Sequence, residues 1–182
     1  TGIFGSYSTT GTYNTGELKK SITTDEQDNQ IIEFKDKSGQ LILRKKQLTA
    51  VADDGTGRNH EGWLCTYYIY DDFYRLRAVI QPEGVKYLSS PVNNWSATAI
   101  NTIVAEQFFR YEFDKRSRMI MKKVPGSGTS YMVYDKRDRL VMTQDANMRE
   151  GTVKWLITKY DDLNRQVETG LWNDATSFTD HL

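Results

Sequence analysis

The chain has 182 residues, with 24 Lys and Arg against 24 Asp and Glu, two His, one Cys and three Pro. That length suits one domain, or one section of something larger, and can bury a sizeable core. The balanced charge excludes a general nucleic-acid binder, the lone Cys excludes an internal disulfide framework, and no apolar run reaches the length of a membrane-spanning helix or resembles a secretion signal. The hydrophobic fraction is low at 38%, yet 12% of the chain is aromatic, with 11 Tyr. That combination points to half-buried strands rather than a deep two-sided core. The first residue is Thr1 rather than Met, so a piece of a longer protein is expected.

One short element recurs along the chain: an aromatic or polar residue, Asp, two variable residues, a turn residue, then Arg or Gln, usually before an apolar residue. A weaker candidate comes first, Thr24-Asp25-Glu26-Gln27-Asp28-Asn29. The first full copy is Lys35-Asp36-Lys37-Ser38-Gly39-Gln40-Leu41. A strand around Leu41–Val51 and a turn at Asp53-Asp54-Gly55-Thr56-Gly57 lead to a second strand, Trp63–Tyr70, and the copy Tyr70-Asp71-Asp72-Phe73-Tyr74-Arg75-Leu76. Residues 82–107 break the pattern. Pro82–Leu88 reads as a short helix, and Ser96–Gln107 as a longer one with Ile100, Ile103, Val104 and Phe108 on one face. Ser96 suits its N-cap, and Trp95 is placed to staple onto Ile100. This helical insertion is expected either on one sheet face or plugging an edge.

Three more copies follow: Phe113-Asp114-Lys115-Arg116-Ser117-Arg118-Met119, Tyr134-Asp135-Lys136-Arg137-Asp138-Arg139-Leu140 and Tyr160-Asp161-Asp162-Leu163-Asn164-Arg165-Gln166. Pro125-Gly126-Ser127-Gly128 marks a turn between Met119–Val124 and Tyr131–Tyr134, and Leu140–Thr143 is a further β-rich run. Successive Asp residues stand 35, 43, 21 and 26 positions apart, so the tightest period is 21.

The element has the chemistry of a hairpin tip. Asp suits the first position of a type I turn, where its carboxylate accepts from the backbone just ahead. The fifth position would then be left-handed and close the hairpin with a bulge. Gly39, Asp138 and Asn164 suit that conformation, Ser117 less so, and Tyr74 poorly. Asp and Arg flank the tip from opposite strands and are placed to pair. The structural turn residues are therefore Asp36, Gly39, Asp71, Arg75, Asp114, Arg118, Asp135, Arg139, Asp161 and Arg165. Strand parity supports the reading. Trp63 precedes Asp71 by eight residues and Trp155 precedes Asp161 by six, so both Trp residues fall on the same face of their strands.

Enzyme chemistry is not nominated. His60 and His181 lack a metal-ligand pattern, and His60 is expected to lie exposed in its polar loop. Cys65, between Leu64 and Thr66, reads as a structural thiol. The Asp53–Gly57 run lacks the alternating ligands and closing Glu of a calcium loop. Five equivalent Asp residues argue for a structural role, since an active site is built once. The aromatic rows read as core rather than an exposed binding face, and Lys19-Lys20, Arg44-Lys45-Lys46 and Lys122-Lys123 as solvated strand edges. No catalytic residue, cofactor or metal is therefore expected.

The Tyr-Asp-x-x-turn-Arg-Leu element at about 21-residue spacing resembles the RHS/YD repeat. The likeness runs over roughly residues 17–172 and is closest in Tyr131–Gly170. Lys122-Lys123-Val124-Pro125-Gly126, Trp155–Tyr160 and Asn93-Asn94-Trp95-Ser96 also look like the bacterial type. The resemblance implies strings of β-hairpins continuing as one long sheet, wound in full-length members into a hollow shell. In bacterial members the shell encloses a C-terminal toxic domain, and the proteins are secreted or displayed at the cell surface. Eukaryotic relatives serve in adhesion, with glycan binding proposed for some repeats. This sequence departs from the pattern: four of five turns lack glycine, Lys35 stands where Tyr is expected, and no Asp-Pro-x-Gly core motif is present.

The expected fold is thus mainly β, an antiparallel array of hairpins with a short helical insertion around residues 82–107. Residues 17–81 hold the first repeats, 108–172 the last three, and 173–182 a tail. The expected role is a non-enzymatic shell segment, and the alternative is a β module binding a glycan or a cell-surface protein. Expected partners are neighbouring repeats, an encapsulated toxin of the same parent protein, and, for the isolated segment, another copy through its sheet edges. Neither nucleic-acid binding nor membrane insertion is expected.

Overall fold

A computed structural model describes residues 4–9, 11–89, 95, 96, 100, 103 and 106–182. The protein is mainly β, with eleven antiparallel strands among the described residues and a short helix after the fifth. It divides into two compact units, one of Ser6–Phe109 and one of Arg110–Leu182 together with the N-terminal residues up to Gly5. The helical insertion belongs to the first of these units, alongside the first repeats.

In that first unit, strands β1 (Lys19–Thr24), β2 (Gln30–Lys35), β3 (Leu41–Gln47), β4 (Trp63–Tyr70) and β5 (Leu76–Ile80) pair consecutively. Helix α1 (Pro82–Ser89) follows. The strands alternate as a one-faced sheet requires. Ile32 and Phe34, Leu43, Trp63 and Cys65, and Ala78 and Ile80 all turn to one buried face. Val85 and Leu88 of α1 lie on that same cluster, so the insertion covers a sheet face. Most of the second expected helix lies outside the described residues, including Val104. Ile100, Ile103, Glu106 and Gln107 are helical, and Ile100 and Ile103 are buried in the cluster. The Ser96 carbonyl accepts from the Ile100 N–H at 2.9 Å, as a first helical bond does. Trp95 joins the cluster from its edge.

In the second unit, β6 (Phe108–Phe113), which begins just before the boundary, precedes β7 (Met119–Val124), β8 (Gly128–Tyr134), β9 (Leu140–Gln144), β10 (Lys154–Tyr160) and β11 (Gln166–Asn173), again paired in order. Ile120, Met121, Val133 and Trp155 form its core. The tail does not trail into solvent. Phe178 stacks on Tyr131 with ring centroids 4.4 Å apart and is buried, while His181 packs edge-on against Trp155. Trp63 and Trp155 are 6% and 1% exposed, so each lies on the selected face of its strand.

One basic run departs from expectation. Lys45 is not a solvated edge residue; its side chain is fully buried. Strand parity explains this, because Lys45 shares the inward face of Leu43 and sits opposite Ile32 and Cys65. Its ammonium lies 4.9 Å from the Trp63 ring centroid and pairs with Asp53. Asp53 also binds Lys20 at 2.5 Å. Burial opposes ionisation of Asp53, but the contacts from both lysines outweigh it and hold the carboxyl below its ordinary range. The Asp53–Gly57 turn is thereby fastened to the core. Beside it Cys65 is 1% exposed, and burial pushes its thiol up to about 11, which keeps it unreactive.

Gly62 closes that loop with φ of +77°, and its carbonyl accepts from the N–H groups of Leu48 and Thr49. A Cβ there would meet Thr49 Oγ1 at 2.6 Å and Val51 Cβ at 2.7 Å. Gly39 has a similar φ of +84° but open space around it. Gly62→Ala is expected to cost about 2–4 kcal/mol, from backbone strain plus overpacking. Gly39→Ala is expected to cost only the strain, about 1 kcal/mol. Chemical denaturation of the two variants checks the difference.

Candidate functional site

The repeated tips share one geometry. In each full copy the Asp N–H donates to the carbonyl four residues on, and the fifth-position N–H donates back to the Asp carbonyl. The distances are 2.9 and 3.0 Å at Asp36, 3.0 and 2.8 Å at Asp71, 2.9 and 3.0 Å at Asp114, 3.0 and 3.1 Å at Asp135, and 2.9 and 3.1 Å at Asp161. The fifth position is left-handed in every one: Gly39, Tyr74, Ser117, Asp138 and Asn164. Each tip is followed by a register shift one pair into the hairpin. Asp25 to Asn29 closes with the same pair of backbone bonds, and Asp28 is left-handed at φ of 61°. The weaker candidate is therefore a tip as well, although its hairpin carries no register shift.

The carboxylate does more than start the turn. Asp71 Oδ1 accepts from the Phe73 and Arg75 N–H groups, both at 3.0 Å. Asp114 accepts likewise from Arg116 and Arg118, Asp135 from Arg137 and Arg139, and Asp161 from Leu163 and Arg165. The second oxygen is left for the guanidinium. Arg75, Arg118, Arg139 and Arg165 each donate Nε to it at 2.7–2.8 Å, and the first three add a terminal nitrogen at 2.5–2.7 Å. This is the two-pronged geometry that makes Arg–carboxylate pairs strong. At the first tip Gln40 stands in the Arg position, and Asp36 accepts from the N–H groups of Ser38 and Gln40.

The tips also grip their neighbours. Arg118 reaches the Asp135 carbonyl at 3.1 Å and the Asp138 carboxylate at 2.8 Å, and Arg116 reaches the same carboxylate at 2.7 Å. Arg139 reaches the Asn164 side-chain oxygen at 3.2 Å. Arg118 and Arg139 each lie over the tyrosine of the next tip, at 4.8 Å from the Tyr134 centroid and 4.9 Å from that of Tyr160. Those tyrosines send their hydroxyls back to the Met119 and Leu140 carbonyls at 3.0 and 2.9 Å. In the other unit Gln40 Nε2 donates to the Tyr74 carbonyl at 3.1 Å, a lateral link of the same kind. The sequence showed the intra-tip Asp–Arg pair; it did not show the link to the next tip, for which the Asp and Asn side chains at the fifth position were the available signal.

His60 is not exposed as expected. Its Nε2 lies 2.8 Å from the Tyr67 hydroxyl, its Nδ1 2.9 Å from the Ser89 hydroxyl, and its ring packs against Tyr67 and Trp95. No sequence spacing links positions 60, 67, 89 and 95; the insertion brings them together. Among the described residues no cluster of three or more His, Cys, Asp or Glu is arranged to hold a metal. No helix among them is long and apolar enough to cross a membrane.

Two consequences are testable. At Asp71 burial favours the neutral acid, but hydrogen bonds from the Arg75 side chain and backbone, from Arg77 and from the Phe73 N–H outweigh it and bring the carboxyl to about 2. The tip's contribution is then complete above the unfolded value near 3.8 and is lost as pH falls toward 2. Asp71→Ala is expected to destabilise the unit by about 1–3 kcal/mol at neutral pH, and Asp71→Asn by less, since an amide oxygen still accepts from the backbone. Denaturation at pH 7 and pH 2.5 tests both, the gap between the variants and wild type narrowing at the lower pH. Tyr74 is 64% exposed and left-handed, so Tyr74→Gly is expected to raise stability by up to about 1 kcal/mol in the same assay.

No family model matches the sequence, and no curated protein is similar to it. Solved structures are. The Photorhabdus luminescens Tc holotoxin pore with the TccC3-D651A mutation matches at a TM-score of 0.56 and 15% identity, over 85% of this chain. The TcdB2-TccC3 crystal structure matches at 0.58 and 16%, over 82%, and the TcdB2-TccC3-Cdc42 structure at 0.57 and 16%, over 82%. This chain spans about 6% of the length of those chains. At such identity the likeness concerns architecture alone, and on architecture the chain has an RHS-like fold.

Proposed function

We propose that this chain is a non-enzymatic segment of a secreted or cell-surface RHS/YD-repeat shell, of the kind that encloses a C-terminal toxin. The observation that carries the reading is the lateral coupling of the tips: the Arg118 and Arg139 guanidiniums each close their own turn and grip the next. Such coupling stiffens a row of hairpins along the direction in which a wall extends, and asks nothing of a soluble substrate. The repeated carboxylates have their oxygens engaged by N–H groups and guanidinium, which suits scaffolding better than acid–base work. One structural neighbour is a Tc holotoxin pore, which supports the setting. The alternative, a glycan-binding or protein-binding face of Tyr and Trp rows, has weaker support because Trp63 and Trp155 lie in the cores.

Electron microscopy of the parent polypeptide tests the proposal. The expected result is a hollow particle with these hairpins in its wall and a cargo domain inside; a solid particle, or hairpins with solvent on both faces, overturns it. A second expectation concerns the isolated segment. The edge strand β11 has Val167, Leu171 and Trp172 62%, 62% and 45% exposed, a surface that invites strand pairing. Light scattering should show concentration-dependent association, reduced by Leu171→Lys.

A further inference from the structure

We propose that His60 is an acid-released latch that holds the Leu48–Gly62 loop and the end of α1 onto strand β4, and that both loosen as the ring takes up a proton. The inference is independent of the shell reading. Three parts of the first unit meet at this ring. The loop supplies His60, β4 supplies the Tyr67 hydroxyl at 2.8 Å, and α1 supplies the Ser89 hydroxyl at 2.9 Å. Trp95 closes the fourth side, 6.0 Å from the imidazole and 5.1 Å from the Tyr67 ring. Hydroxyl groups either donate or accept, so the neutral ring satisfies both nitrogens here.

The surroundings disfavour a charged ring. Burial opposes the imidazolium first, and the Lys45 ammonium on β3 adds repulsion; together they hold the His60 pKa below its ordinary value. Asp54 of the same loop favours the charge, but its carboxylate is engaged by the Thr56 N–H and hydroxyl at 2.9 Å. Asp53, which is nearer the core, is already shared between Lys20 and Lys45. On β4 burial raises the Tyr67 phenol well above its ordinary range, so it stays neutral, and Ser89 brings no charge from α1. The sign follows. A folded pKa below the unfolded 6.5 means the closed form binds fewer protons. The latch is at full strength above about 6.5 and weakens as pH falls below it, by up to about tenfold for each unit by which the pKa is lowered. Ser89 is not read as a nucleophile, because it ends a helix, where the carbonyl ends of the backbone dipoles oppose a developing oxyanion.

Hydrogen exchange of the full chain at pH 7.5 and pH 5.5, corrected for intrinsic exchange, tests this. Protection of the 48–62 loop and of 82–89 is expected to fall at least several-fold at pH 5.5 relative to β8 and β9. His60→Gln, which keeps hydrogen-bonding capacity without titrating, is expected to flatten that difference. Equal acid loss in the Gln variant overturns the proposal. A proton NMR titration of the wild-type chain gives a second reading that does not depend on the variant folding. Only two histidines are present, and a His60 pKa at or above 6.5 overturns the proposal outright.

Discussion

Everything in this fold leans on a carboxylate placed one residue past the end of a strand. Its first oxygen takes two backbone N–H groups and thereby fixes a left-handed residue three positions on; its second takes a guanidinium from the returning strand. Each interaction is modest in isolation, since a single hydrogen bond or ion pair contributes about 1 kcal/mol net. Their effect comes from convergence. One side chain sets the turn type, the bulge and the register together, and register decides which face of every residue in the hairpin is buried.

The strength of the constraint shows where the sequence resists it. Tyr at a left-handed position is disfavoured by about 1–2 kcal/mol, yet Tyr74 adopts a φ of 62°, close to Ser117, Asp138 and Asn164. The backbone bonds to Asp71 override the local preference of the residue between them. Asp25–Asn29 makes the same point from the other side. It lacks the aromatic and the Arg, but retains the Asp and closes in the same way.

Periodic features were legible in the sequence. The tips, the inward parity of Trp63 and Trp155, the short helix over Pro82–Ser89 and the turn at Pro125–Gly128 all follow from spacing and residue type. What escaped depends on contacts between distant segments. As a cluster of charge, Arg44-Lys45-Lys46 points to solvent, whereas parity counted from Leu43 puts Lys45 inside. Its partner Asp53 lies in a loop whose path no local rule supplies. The His60 site draws on residues as far as 35 positions apart, and the tail's burial depends on a slot at Tyr131 that exists only once the sheet is formed. The boundary between the two units falls just after residues 82–107, where the repeat pattern is interrupted.

The fifth position of a tip carries two kinds of information, and they separate. At Asp138 and Asn164 the neighbouring guanidinium contacts the side chain, whereas at Tyr74 the neighbouring amide contacts only the main-chain carbonyl. A hairpin whose neighbour reads its backbone is free to vary its side chain there, and one whose neighbour reads its side chain is not. Hairpins that share a single backbone shape are therefore not interchangeable modules: each of the last two carries an address for the one before it, and shuffling them would preserve every turn while breaking the order in which they are stitched.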